Sequence, residues 1–307
     1  MRPIAKCRKL LELERKERFL TSNATRKIHI VNFEPAVWLA SCGIRLLSLW
    51  NRGMANAAQL QLTRCTMKFP NLPAEFNGYR ILFMSDLHLE GLTTITDNII
   101  RLAEAADYDI CLLGGDYRFY DRGNPVPAMT YLDRLAPRLT ARSRVIGILG
   151  NHDEYEIGLH LESYGVEMLA NENRYIERNG ARLHVCGVDD SNYYGAHDLA
   201  AALEAVPETD FKILLSHSPD IYREAAAAGF SVYLAGHTHG GQLCLPGGIP
   251  IITETSAPRR MVRGHWHYRK MQGFTCAGAG CSAIPIRFNC PPEVVLLTLC
   301  RDDGADA

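Results

Sequence analysis

No Cys-x-x-Cys pair occurs anywhere in the chain, although ten cysteines are present. Zinc sites built on sulfur are normally assembled from such pairs, so that class is excluded. Cys111, Cys186 and Cys276 lie inside apolar runs. A free thiol there behaves as a small hydrophobe, and the usage predicts a reduced, cytoplasmic compartment. Also missing is a run of about 20 apolar residues, the length a spanning helix requires. The most apolar stretch ahead of residue 79, Phe33 to Trp50, is interrupted by Arg45. The first thirty residues have no apolar segment behind their basic start, so a secretory signal is not expected. Net charge is nearly absent, at −1, and by itself points to neither nucleic acid nor membrane. No repeat at a solenoid period is found, and Ala225–Ala228 is the one low-complexity run.

What remains is a chain of 307 residues, 47% hydrophobic, able to bury a large core. Its charge balance conceals an asymmetry: residues 1–30 hold nine Lys/Arg against three Glu. A basic arm ahead of an acidic body suggests an anionic surface as partner, and a solvated, partly paired helix over residues 4–19 is the alternative. In the apolar stretch, Ser41, Arg45, Ser48 and Arg52 fall on one helical stripe. Trp38, Leu39, Cys42, Leu46, Leu47, Leu49 and Trp50 lie away from it. Such a helix either packs on the body, the commoner fate, or lies in a membrane interface with Trp at headgroup level. The expected division is an arm with an amphipathic helix over 1–70 and a catalytic domain over 71–307.

From Tyr79 onward strands and helices alternate. Strands are expected at Tyr79–Ser85, Asp109–Leu113, Arg144–Leu149, Val166–Leu169, Tyr175–Arg178, Leu183–Val188, Phe211–Leu215, Ser231–Leu234 and Glu293–Leu299. Helices are expected near Thr94–Ala106, Val126–Leu139, His197–Val206 and between Ser218 and Gly229, with a hairpin turn at Asn179-Gly180. Alternation of this kind gives parallel neighbours through right-handed crossovers, with ligands bound beyond the carboxyl ends of the strands. Two sheets sharing one rim are the expected architecture.

Five motifs close those strands: Ser85-Asp86-Leu87-His88, Gly114-Gly115-Asp116, Gly150-Asn151-His152-Asp153, Ser216-His217-Ser218-Pro219 and Gly236-His237-Thr238-His239-Gly240-Gly241. Asp86 and His88, like His237 and His239, are two apart, so both members of a pair face the same way on an extended segment. Asp116 follows two glycines and has two oxygens to offer two cations. Asn151 adds a neutral carbonyl oxygen. Carboxylate and imidazole without thiolate suit Mn, Fe or Zn. Two such ions would clamp a phosphate, activate the nucleophile and stabilise an in-line displacement. His152 would protonate the leaving group or stabilise charge, with Asp153 holding its tautomer. Singly, each motif reads as a turn, cap or satisfied core histidine; five of them, each closing a strand, point to a metal centre.

These residues resemble the calcineurin-like metallophosphoesterases over roughly Tyr79 to Leu299. The resemblance implies an αββα sandwich: two mixed sheets flanked by helices, with a dinuclear site at the strand ends. It implies Asp86, His88 and His239 on one metal, Asn151, His217 and His237 on the other, Asp116 bridging and His152 catalytic. The box Gly-His-Thr-His-Gly-Gly-Gln and the segment Pro285–Glu293 are similar to a bacterial single-domain phosphodiesterase branch. Some members of that branch cleave the pyrophosphate of UDP-diacylglucosamine at the inner membrane during lipid A synthesis. Glu90 and Arg118 depart from the family pattern; they either line the mouth or stand exposed in solvent, the more ordinary fate of charges. The first 70 residues have no counterpart in the shared core. Arg259, Arg260 and Arg263, with His265 and His267, are expected in a basic loop that either grips a second phosphate or is simply solvated.

The implied activity is hydrolysis of a phosphodiester or pyrophosphate, the substrate being a small molecule or lipid-linked phosphate. A peripheral membrane contact through residues 1–60 goes with a cytoplasmic location at the inner membrane. Two alternatives stand beside it: a soluble nucleotide phosphodiesterase or nuclease, disfavoured by the acidic body, and a non-catalytic scaffold.

Overall fold

The computed structural model describes residues 8–13, 34–120 and 123–302. Fourteen strands are present among them, twelve of which build two six-stranded sheets. The first sheet runs in the order β1 (Gln61–Phe69), β14 (Glu293–Arg301), β2 (Tyr79–Met84), β3 (Ile110–Leu113), β4 (Arg144–Gly147), β5 (Glu167–Met168). The second runs β12 (Gly264–Tyr268), β13 (Met271–Thr275), β9 (Val232–Ala235), β8 (Phe211–Leu215), β7 (Ala181–Gly187), β6 (Glu172–Arg178). Strands β2 to β5 are parallel, as are β7, β8, β9 and β13. Alternate residues explain the layering. Ile81, Phe83, Ile110, Leu112, Val185, Ile213 and Leu234 meet between the sheets. Leu82, Met84, Cys111 and Leu113 turn outward under the helices Ile95–Ala105 and Val126–Thr140. A smaller apolar cluster under the helix Tyr222–Ala227 covers the second sheet. The result is the expected αββα sandwich, and all five motifs leave the carboxyl ends of parallel strands.

Several expectations are corrected. The stretch from Phe33 to Trp50 is not one helix: Glu34–Leu46 and Trp50–Ala57 are separate, and Ser48, at φ 57°, breaks the polar stripe. Trp50–Ala57 packs on the body, with Gly53 O accepting from Arg287 N at 3.0 Å and Asn56 Nδ2 donating to Arg287 O at 2.9 Å. The first segment instead leaves Trp38, Leu39, Leu46 and Leu47 exposed. No helix among the described residues is long and apolar enough to cross a membrane. Gln61–Phe69, assigned to the arm, pairs in register with all of β14. His265 and His267 are on strand β12, not in a loop, with Trp266 between them turned into the core. The helix expected over His197–Val206 is reduced to Leu199–Ala202, because Ala205 is left-handed and Pro207 disfavours a helical Val206. Of the charged helix expected over 4–19, residues 8–13 are helical; the others lie outside the described residues.

Candidate metal centre

The strand ends bring all seven candidate ligands, and His152, into one cluster. Asp86, His88 and His239 have ligand atoms within 4.8 Å of one another, as do Asp86, Asp116 and His217, and also His88, Asp116 and His152. Asp116 Oδ2 lies 3.2 Å from His217 Nε2 and 3.7 Å from His88 Nε2, so one carboxylate oxygen lies between the two halves. Asn151 Oδ1 is 3.1 Å from His217 Nε2 and 2.9 Å from His237 Nδ1. His239 Nε2 is 3.1 Å from His88 Nε2 and 3.4 Å from Asp86 Oδ1. Around a cation with bonds of roughly 2.0–2.2 Å, adjacent ligand atoms stand roughly 3 to 3.5 Å apart, and these separations fit.

Ring orientation is set from behind. His88 Nδ1 is 2.5 Å from Arg118 O, and His217 Nδ1 is 2.8 Å from Gly114 O. A carbonyl only accepts, so each Nδ1 carries the proton and each Nε2 turns a lone pair inward. His237 is reversed: Nε2 donates to Glu254 O at 2.9 Å, which leaves Nδ1 as the inward lone pair. Lone pairs of imidazole facing carboxylate and amide oxygens repel unless a cation or proton lies between them. The donor set therefore fits divalent metal.

Backbone strain marks the same residues. Asp86, His88, Asp116, His237 and His239 all have positive φ, between 40° and 68°. That region costs a non-glycine residue of order 1 kcal/mol or more, and such strain concentrates at functional sites. Buried charge reinforces the picture. Burial and the charge on His152 hold His88 down at about 3. Burial alone would lower His217, but the Asp116 carboxylate raises it to about 10, so that without metal a proton occupies the Nε2 lone pair that a cation would otherwise take. Burial pushes Asp86 up, although His217 opposes the shift.

Three roles differ from those expected. Asp153 does not touch the His152 ring; its carboxylate accepts from the N–H groups of Gly150, Asp116, Tyr117 and Arg118 at 2.7 to 3.3 Å. His152 is oriented instead by Phe119 O, 3.0 Å from its Nδ1, and its own N–H donates to Asp116 Oδ1 at 2.8 Å. Arg118 is fully buried, 3.5 Å from Glu154, and half-buried Glu90 accepts from Phe119 N at 2.6 Å. Neither is a solvated surface charge: both brace the loop after Asp116. Arg259 and Arg260 are exposed.

Two contributors escaped sequence reasoning. Arg287, fully buried, donates to Ala277 O at 2.7 Å and Gly280 O at 2.6 Å, and lies 3.5 Å from His239 Nδ1. Asp220 binds Asn192, Thr255 and Ser256 as well as Ser218, so it ties the His217 motif to the segment whose Glu254 carbonyl orients His237. No spacing rule signals either residue. Burial works against the Asp220 charge, yet hydrogen bonds from Ser218, Ser256 and Asn192 hold its carboxyl at about 2. A folded-state pKa below the ordinary value of 3.8 gives stability that is complete above about pH 5 and lost as pH falls towards 2. Asp220→Asn should therefore cost about 2 kcal/mol at neutral pH. In urea melts, the difference from wild type should shrink between pH 4 and pH 2; a pH-independent difference would rule out the carboxylate as its source.

Comparison with known proteins extends this picture. The sequence profile of calcineurin-like phosphoesterases matches residues 79–269, which include all five motifs. The chain is 31% identical over 234 residues to phosphodiesterase YaeI of Escherichia coli (strain K12), covering 72% of this chain and 82% of that one. It is 31% identical over 258 residues to an uncharacterized metallophosphoesterase of Aquifex aeolicus (strain VF5), covering 78% and 92%. The uncharacterized metallophosphoesterase YkuE of Bacillus subtilis (strain 168) is 27% identical over 248 residues, covering 78% and 85%.

Proposed function

The chain belongs to the calcineurin-like phosphoesterase family, and from that premise we propose that it is a dinuclear metal-dependent hydrolase of a phosphodiester or pyrophosphate bond. The observation that carries the reading is the set of inward lone pairs on His88, His217 and His237, each fixed by a backbone carbonyl. Asp86, His88 and His239 would hold one ion, Asn151, His217 and His237 the other, with Asp116 shared. Two divalent ions (Mn, Fe or Zn) supply Lewis acidity and neutralise phosphate charge. His152 is less buried than Asp86, His88 and Asp116 beside it, at the approach to the cluster. With Nδ1–H held by Phe119 O, Nε2 is the free ring atom, and only the doubly protonated imidazolium can donate from it to the leaving oxygen, ending as the neutral ring.

For the substrate, an amphipathic, lipid-linked phosphate such as UDP-diacylglucosamine is our reading, met at a membrane surface. Trp38, Leu39, Leu46 and Leu47 are exposed beside Arg45 and Arg52. Leu245, Ile249, Ile251 and Ile252 are exposed on and after the hairpin β10 (Cys244–Leu245) and β11 (Ile249–Pro250). One segment bonds the helix that follows the first patch and the hairpin that carries the second: Arg287 binds the helix Trp50–Ala57, and Phe288 O accepts from Cys244 N at 3.0 Å. Apolar residues interleaved with arginine suit an anionic interface. The test loads the full chain with Mn²⁺ and compares UDP-diacylglucosamine, bis-p-nitrophenyl phosphate and single-stranded DNA, alongside sedimentation with phosphatidylglycerol and phosphatidylcholine vesicles. Preference for the lipid substrate and for anionic vesicles is expected. Turnover of bis-p-nitrophenyl phosphate with neither preference would replace the lipid reading with a soluble phosphodiesterase, and no turnover of any substrate would overturn the catalytic one.

A further inference from the structure

Among the described residues of the basic arm, Arg8 and Glu12 turn into the interior. Arg8, in the helical segment 8–13, is 1% exposed and lies behind the turn that carries Asn151 and His152. Its Nη2 donates to Gly150 O at 2.7 Å and to Asp153 O at 3.0 Å, the two carbonyls that bracket those residues. Nη1 donates to Asp189 Oδ1 at 2.5 Å, beyond the end of β7 in the other sheet. Nε donates to Glu12 Oε1 at 3.1 Å, and the guanidinium lies 3.8 Å from the centroid of the Tyr194 ring. Glu12 Oε1 also accepts from Tyr155 N at 3.0 Å, at the start of the helix Tyr155–Ser163 that follows the turn. Arg8 is thus neither solvated nor available to an anionic surface.

We propose that Arg8 is a positioning residue: the N-terminal helix clasps the Gly150–Asp153 turn and holds Asn151 and His152 in register with the ligands of the second sheet. A planar guanidinium presents donors in a fixed fork, so it can bind two carbonyls and a carboxylate together. Burying that cation is unfavourable without such partners, and here each nitrogen has one. The turn bears on both sides of the cluster, through Asn151 Oδ1 towards His217 and His237, and through His152 towards Asp116. A displacement of about 1 Å in such groups can cost about 10²-fold in rate.

This inference rests on the roles proposed above for Asn151 and His152, and its test keeps the two apart. In the full chain, Arg8→Ala should raise amide hydrogen exchange in the peptide covering 150–155, a readout that needs no turnover. It should lower kcat for bis-p-nitrophenyl phosphate about 10- to 100-fold with KM within about threefold. Added guanidinium should recover part of that loss, whereas Lys9→Ala, at an exposed pair with Glu156, should match wild type. Unchanged exchange and unchanged kcat in Arg8→Ala would overturn the proposal. Should that variant not fold, Arg8→Lys decides, since an ammonium keeps the charge without the fork: lowered kcat at native melting temperature supports the clasp, and wild-type kcat overturns it. Raised exchange in Arg8→Ala alongside an inactive wild type would leave the clasp standing and remove the proposed function.

Discussion

Asp116→Ala should lower hydrolysis of bis-p-nitrophenyl phosphate by at least about 10³-fold and leave fewer metal ions bound per chain. The size follows from what one carboxylate is asked to do. Its Oδ2 is the atom shared between the His217 and His88 sides, so its loss strips charge from both positions. In the proposed centre, several kcal/mol of transition-state stabilisation would depend on ions held there, and each 1.4 kcal/mol is tenfold in rate. Its Oδ1 also receives the His152 backbone N–H, so truncation would release the proposed proton donor as well. Asp116→Asn separates these effects. The amide oxygen can still accept from His152, while the charge shared by the ions is gone, so metal content should fall nearly as far as in Asp116→Ala. Metal analysis by mass spectrometry with parallel kinetics checks both. Hydrolysis within tenfold of wild type in either variant, at normal metal content, would remove Asp116 from the bridging role.

How much of this was readable beforehand differs by residue. The clustering of the seven candidate residues was legible because each follows a short apolar run, and parallel strands put their carboxyl ends on one rim. The pairs Asp86/His88 and His237/His239 were expected to share a face through strand periodicity. In the structure their side chains converge through left-handed backbone instead, which no pattern of two reveals. Ser48 broke a helix whose hydrophobic stripe was sound, since the left-handed turn is a tertiary outcome and not a propensity. Strand β12 was readable from its alternation, Trp266 buried between two outward histidines, but its basic surroundings suggested a loop. The burial of Arg8, Arg118 and Arg287 was not legible. Composition sends arginine to the surface, and these three are inside because backbone carbonyls or a carboxylate from distant segments converge on them.

The close approach of two motifs yields the other large effect. Gly115 has φ 90°, and a Cβ there would lie 2.4 Å from Gly150 N and 2.8 Å from Leu149 C. Those are backbone atoms of the strand end that delivers Asn151, so no rotamer change relieves the clash. Gly115→Ala should therefore incur a backbone term of about 1–2 kcal/mol and an overpacking term of about 1–3 kcal/mol. Gly78→Ala is the matched control: its φ is 80°, and nothing lies within 4 Å of the added carbon. It should show the backbone term alone and keep wild-type activity, because Gly78 adjoins β2 at the end opposite the motifs. Urea unfolding of the two variants isolates the packing contribution. Activity should follow it, since prising Gly150 away from Gly115 displaces Asn151 from His217 and His152 from Asp116. Equal midpoints for the two variants would mean that the strand ends part at no cost, and the contact between these motifs would then not hold the cluster together.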